Sequence, residues 1–242
     1  MLHLSKLNVS IGEKKILKDF SYIFEKDRVY AIMGPNGSGK STLAHAIAGN
    51  PTYQVSSSKL QISNKGKVIN LKDLEPHKRA EAGIFMSFQN PLALQGIRIA
   101  QLLLLALKGK VSAPEIRKRS KAIAKELGIS EDLLNRSLNE GASGGERKKM
   151  EVLQGAILDR VIQIYDEVDT GVDIDALKSI GKFLHIHKKG KVLIIITHYH
   201  RILKYIKPDT VLVLKDGQLI ADGGPELAET IEKEGYQKFL VA

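Results

Sequence analysis

Apolar positions recur along this chain with two different periods, and the switches between them mark out its organisation. Alternation over residues 4–9 and 21–24 predicts strands. Residues 59–69 read as a hairpin that turns near Lys65-Gly66. Residues 28–33 form a short apolar run that feeds directly into a glycine-rich turn. Residues 41–48 follow with helical spacing, closed by Gly49 at a C-cap position. From about residue 99 to residue 139 the character changes. Residues 102–107, 114–127 and 130–138 predict helices with few strand signals, the second opened by Pro114 at a first-turn position. Strand and helix then alternate: strands over 161–165, 192–197 and 211–215, helices over 175–187 and 200–205. These strands are continuous β-branched runs, as expected of parallel strands buried on both faces, with Gln163 interrupting the first. No repeat, low-complexity tract or proline-rich linker divides the sequence. The expectation is one α/β domain over 1–242, its core at 1–90 and 142–242 and a helical insert at 91–141.

Composition narrows the classes. A chain of 242 residues buries roughly 70–75% of its extended surface, enough for a core without disulfide or metal. Cysteine is absent, which excludes disulfide frameworks, thiolate metal sites and cysteine nucleophiles, and fits a reducing cytoplasm. No window approaches the about 20 apolar residues of a membrane span, and the first residues lack the layout of a secretion signal. A soluble, cytoplasmic chain is expected, with no direct membrane insertion. Lysine and arginine total 37 against 27 acids, a net charge of +10. That excess suits a nucleic-acid surface, or basic residues facing water or an acidic partner. Aromatics make up only 5% with no tryptophan, which removes base-stacking platforms, and the basic residues are scattered. Direct nucleic-acid contact is not expected.

Three segments carry chemistry. Gly34, Pro35, Asn36, Gly37, Ser38, Gly39, Lys40 and Ser41, followed by Thr42, fit the G-x-x-x-x-G-K-S phosphate loop. Glycines let backbone amides curl around an anion, and the following helix N-terminus adds favourable partial charge. Lys40 would neutralise the outer phosphates of ATP, and Ser41 would bind Mg²⁺. Residues 161–167 form a strand ending in two acids, of which Asp166 would hold the Mg²⁺ shell while Glu167 orients and deprotonates an attacking water. Ser143, Gly144, Gly145 and Glu146 read as a capping box at a helix start, with Met150, Leu153 and Ile157 on one face beyond it. The same hydroxyl, glycine amides and helix tip would make a second phosphate-binding surface. One chain needs no second surface for one γ-phosphate, but a head-to-tail dimer does.

With these segments in place, the chain resembles the ABC ATPases across nearly its whole length. Phosphate loop, Gln89 after an apolar strand, Ser143-Gly144-Gly145, Asp166-Glu167, Asp173 and Thr197-His198 stand in that family's order. The resemblance implies a RecA-like P-loop NTPase core of α/β class, with an antiparallel β subdomain and an inserted α-helical subdomain. It implies that Gln89 touches Mg²⁺ and the water, that Asp173 lies across a dimer seam and that His198 contacts the γ-phosphate. It also implies that Ser143 and Gly145 act on the ATP of the other subunit. An aromatic that stacks on adenine in that family aligns here with Ile11. The sequence is most similar to the SufC branch, through residues 49–55, 83–91, 166–177 and 197–208, and has Val168-Asp169 where transporter subunits usually have Pro-Thr. That branch implies a SufB/SufD-like scaffold partner and an ATP-dependent homodimer within the complex. The alternative is the nucleotide-binding subunit of a membrane transporter.

Two further expectations concern basic residues. His185 and His187 are two apart on a predicted helix and face different directions, so they are not a metal pair, and His200 is expected to be structural. Lys148 would reach Glu167 in the resting monomer and mask it, or else face solvent.

Overall fold

The computed structural model describes residues 1–64, 66–197 and 200–236, the side chain of His200 excepted. Along the chain come β1 (Leu2–Ile11), β2 (Lys14–Phe24), β3 (Arg28–Met33), α1 (Lys40–Ala48), β4 (Gln54–Ser56), β5 (Lys59–Asn64) and β6 (Lys67–Asn70). Next are α2 (Pro76–Ala82), β7 (Ile84–Ser87), β8 (Leu94–Arg98), α3 (Ile99–Ala106), α4 (Ala113–Leu127), α5 (Glu131–Asn135) and β9 (Ser137–Leu138). The chain continues with α6 (Gly144–Leu158), β10 (Ile162–Asp166), α7 (Ile174–Ile186), β11 (Val192–Ile196), α8 (His200–Ile206), β12 (Thr210–Lys215), β13 (Gln218–Gly223) and α9 (Glu226–Glu234).

Strands β7, β10, β11, β3 and β12 lie side by side in parallel, and β13 closes the edge antiparallel to β12. A second, antiparallel sheet runs β2-β1-β5-β6, with β4 also on β1. Strand β3 shows how the layers stack. Val29, Ala31 and Met33 face a core with α3, α4, α6, α7 and α8, whereas Tyr30 and Ile32 face one with α1 and the antiparallel sheet. The parallel sheet is therefore covered on both sides, which is why β10 and β11 are buried at every position. Gln163 breaks the apolar run without penalty. Its amide donates to the carbonyls of Gly155 and Arg160, each at 3.1 Å, and its oxygen accepts from Tyr165 Oη at 2.8 Å.

Helix ends follow the expected chemistry. Gly49 closes α1 in the left-handed region at φ 84°. Ser112 caps α4 through Glu115 N at 3.4 Å. Residues 130–138 depart from expectation: only Glu131–Asn135 is helical, and Ser137–Leu138 is a strand paired with β8. Strand β2 runs from Lys14, well before the expected residue 21, and α2 was not foreseen. His185 Nδ1 lies 3.0 Å from Ile206 O and His187 Nε2 lies 2.8 Å from Glu126 Oε2, so the two histidines have separate partners. Among the described residues no helix is long and apolar enough to cross a membrane.

Candidate functional site

The phosphate loop connects β3 to α1 at the C-terminal edge of the parallel sheet, where ligands of open α/β sheets bind. Its path needs glycine. A Cβ on Gly34 would lie 2.1 Å from Leu214 O, and Gly39, at φ 102°, would press on Leu17 at 2.6 Å. Because the N-cap of α1 is Gly39, no side chain caps the helix, and its first turn carries no acid. Gly39, Lys40, Ser41 and Thr42 therefore present this helix tip to a cavity of about 970 Å³.

Gly37, Asn36, Gln89, Glu167 and Thr170 also line the cavity, with Lys14, Lys15, Ile16 and Lys18 from β2, and Asp216. Four lysines against two carboxylates suit a polyanion. Lys40 is buried, and its ammonium donates to Gly34 O at 2.8 Å and Pro35 O at 2.9 Å. Burial pulls its pKa down to about 8, with Glu167 and Asp166 opposing the drop.

Strand β10 delivers the two acids. Ser41 Oγ donates to Asp166 Oδ1 at 3.2 Å, and burial pushes the Asp166 carboxyl above its ordinary value. These are hard oxygens, a hydroxyl and one carboxylate, and that donor set fits a hard cation such as Mg²⁺. Glu167 follows at φ 49°, a left-handed conformation that costs a non-glycine residue energy and turns its side chain off the strand. Its Oε2 accepts from Gln89 Nε2 at 2.7 Å and from Thr170 Oγ1 at 3.3 Å. Acid, amide and lysine thus converge on one cavity. His198 and Tyr199 lie outside the described residues.

Ser143, Gly144 and Gly145 are elsewhere; none of them lines the cavity. The capping box is formed: Ser143 N donates to Glu146 Oε2 at 2.8 Å, and Glu146 N donates to Ser143 Oγ at 3.3 Å. The two glycines pack against the turn before α7. A Cβ on Gly144 would meet Gly171 O at 2.7 Å, and one on Gly145 would meet Ala176 at 3.1 Å. Asp173 caps α7, its Oδ1 accepting from Asp175 N at 3.0 Å and Ala176 N at 2.8 Å. Those amides hold its carboxyl below the ordinary value, the Ala176 bond foremost.

Ile11 is 40% exposed, and Ile16 lines the cavity. One expectation is corrected. Lys148 is not exposed: it is buried and donates to Phe88 O at 2.9 Å and Gln89 O at 2.7 Å, while Glu167 meets the Gln89 side chain instead. Sequence reading missed Lys14, Lys15 and Lys18. The expected strand began only at residue 21, so nothing in the sequence reading put these lysines on a strand, and only the fold brings β2 to the phosphate loop.

The sequence profile of the ABC transporter family matches residues 17–170. This chain belongs to that family. Its fold is the ABC nucleotide-binding cassette and its activity is ATP hydrolysis. Relatives include a probable ATP-dependent transporter, ycf16, of Pyropia yezoensis, 39% identical over 98% of this chain and 96% of its own. A probable ABC transporter ATP-binding protein of Streptococcus pyogenes serotype M3 is 41% identical over 98% of this chain and 93% of its own. Among solved structures, the ATP-binding cassette MJ0796, dimeric after hydrolysis with ADP and phosphate bound, superposes with a TM-score of 0.76. It covers 93% of this chain and 99% of its own at 21% identity, a likeness of fold.

Proposed function

We propose that two copies of this chain close head to tail around Mg-ATP, and that closure drives a conformational change in a SufB/SufD-like scaffold for iron–sulfur cluster assembly. One observation supports the dimer: the Ser143–Gly145 segment is a glycine-bearing helix N-terminus closed by a capping box, and none of its residues lines the cavity that holds the phosphate loop. Each copy lends its tip to the nucleotide of the other, with Asp173 beside the seam.

In hydrolysis, water attacks the γ-phosphorus in line, the new P–O bond forms as the bond to the ADP oxygen breaks, and Glu167 takes the proton. Lys40 turns its ammonium from the loop carbonyls to the phosphate oxygens. Gln89 holds Glu167 and the water in register, and His198 contacts the γ-phosphate. Ser41, Gln89 and Asp166 would hold Mg²⁺, which would supply charge neutralisation there. The opposing Ser143 and Gly145 complete the donors, and losing one such preorganised donor costs about 2.7–4 kcal/mol. An isolated copy therefore turns over slowly.

The scaffold reading rests on the SufC-like stretches and on Val168-Asp169. With no cysteine, the cluster sits on the partner. Exposed Phe88, Leu92, Ile97 and Leu105, at and beyond the Gln89 turn, offer the docking face. Membrane-transporter service is the second reading, favoured by the transporter names of the relatives. Co-purification separates them: a soluble cysteine-bearing partner supports the scaffold, an integral membrane protein the transporter. Glu167→Gln in saturating Mg-ATP tests closure. Sedimentation is expected to show a stable dimer; monomer alone would count against it.

A further inference from the structure

Helix α6 starts at the Ser143 tip, and a turn further along it buries two charged side chains, Lys148 at 3% and Glu151 at 5% exposure. A buried ion pair is weak evidence for stability, since well-packed apolar residues of similar volume do as well or better. Something other than packing is needed to explain the pair. Its geometry is also unlike an ion pair made for its own sake. Lys148 Nζ stands 3.7 Å from Glu151 Oε2, and that oxygen has no hydrogen-bond partner among the described residues.

The close contacts go instead to one short stretch of backbone after β7. Glu151 Oε1 accepts from Phe88 N at 2.8 Å. Lys148 Nζ donates to Phe88 O at 2.9 Å and to Gln89 O at 2.7 Å. Acid and base together hold the amide and carbonyl of Phe88 and the carbonyl of Gln89. From this anchored backbone the Gln89 side chain leaves to donate to Glu167 Oε2 at 2.7 Å. An unbroken run of short contacts therefore links α6 to Glu167.

We propose that Lys148 and Glu151 are positioning residues for hydrolysis: they lock the Phe88–Gln89 backbone to α6, so that the Gln89 amide meets Glu167 only when α6 is in place. The first half of this inference concerns one chain. The second half rests on the head-to-tail dimer: because the tip of α6 serves the partner's nucleotide, each copy's general base is aimed by the occupancy of the opposite site. The two ATP sites are coupled through rigid helices rather than through the nucleotides themselves.

The test uses the full chain with Lys148→Met and Glu151→Leu together, which removes both charges without leaving either one alone in the core. Cooperative thermal unfolding and unchanged ATP affinity are expected. kcat is expected to fall roughly 100-fold, the scale of a misplaced reacting group, with KM unchanged. Gln89→Ala added to this background should then cost far less than it costs in the unsubstituted chain. Retained kcat, or a full additional loss on Gln89→Ala, would overturn the proposal. Should the double variant not fold, Glu151→Gln against Glu151→Leu reads the same link. The glutamine oxygen still accepts from Phe88 N, so it should restore kcat relative to leucine, and equal kcat values would overturn the proposal. Failure of the dimer itself shows separately, as absence of an ATP-induced dimer in Glu167→Gln, and leaves the Gln89 cycle readable.

Discussion

Glu151 illustrates what a single position reveals and hides. In the sequence it is one acid among several on a helix, and nothing local says that it faces inward. Burial pushes its carboxyl from the ordinary 4.5 up to about 7, with the Phe88 amide and Lys148 opposing. A carboxyl whose pKa rises on folding takes up a proton as the chain folds. The stability tied to it is fully present below about pH 4.5 and is lost as pH rises through about 7. Glu151→Gln should therefore flatten the pH dependence of stability. The loss between about pH 5 and pH 8 should shrink by roughly 2–3 kcal/mol, measured by urea unfolding without nucleotide. An unchanged slope would mean that Glu151 is ionised and solvated in the folded chain. By contrast, the meeting of Lys40, Ser41, Asp166 and Glu167 at one edge of the sheet was legible, because residue type at fixed spacing beside a strand places them there. Lys148 was misread because its partners, the carbonyls of Phe88 and Gln89, lie about sixty residues away.

At the scale of elements, buried strands and well-capped helices were readable and irregular pieces were not. Strands β10, β11 and β12 sit within a residue or two of their apolar runs. Strands β8 and β9 pair through only Leu94 with Leu138 and Arg98 with Ser137, too few positions to leave an alternation. Helix α2 buries Arg79 alone, so it has no apolar stripe. That arginine is nonetheless structural. Its guanidinium donates to Ala46 O at 2.7 Å and Ile47 O at 3.1 Å, satisfying carbonyls at the C-terminal end of α1 while the other end faces the cavity. The turn between β12 and β13 supports the phosphate loop in a similar way. Gly217 N donates to Ser38 O at 3.1 Å, and Gly217 O accepts from Lys18 N at 2.9 Å. At φ 80°, an added Cβ would lie 1.9 Å from Ile16 O. Gly217→Ala is expected to cost about 1–3 kcal/mol of stability or more and to weaken nucleotide binding together with it. Gly12→Ala has open space around its Cβ and should cost less while leaving binding unchanged. Urea midpoints and nucleotide titrations on both variants check this.

For the molecule as a whole, charge and topology meet at one edge of the parallel sheet. The net charge of +10 suggested a nucleic-acid surface among other readings, and part of that excess lies in the lysines around the phosphate cavity. What the sequence could not display is separation. The capping box at Ser143 and the phosphate loop are equally clear as motifs, but only the fold places them apart. If each reaction centre is shared, two inactive variants must repair each other. Lys40→Ala spoils a copy's own phosphate loop, and Ser143→Arg spoils only the tip it lends. In a mixed dimer both faults fall in one site, and the other site is intact. The decisive measurement is the ATPase rate of the two variants separately and after mixing. Both should be nearly inactive alone, with activity returning on mixing in proportion to heterodimer formed. Persistent inactivity of the mixture in demonstrated heterodimers, or full activity of Ser143→Arg alone, would contradict a reaction centre shared between two chains.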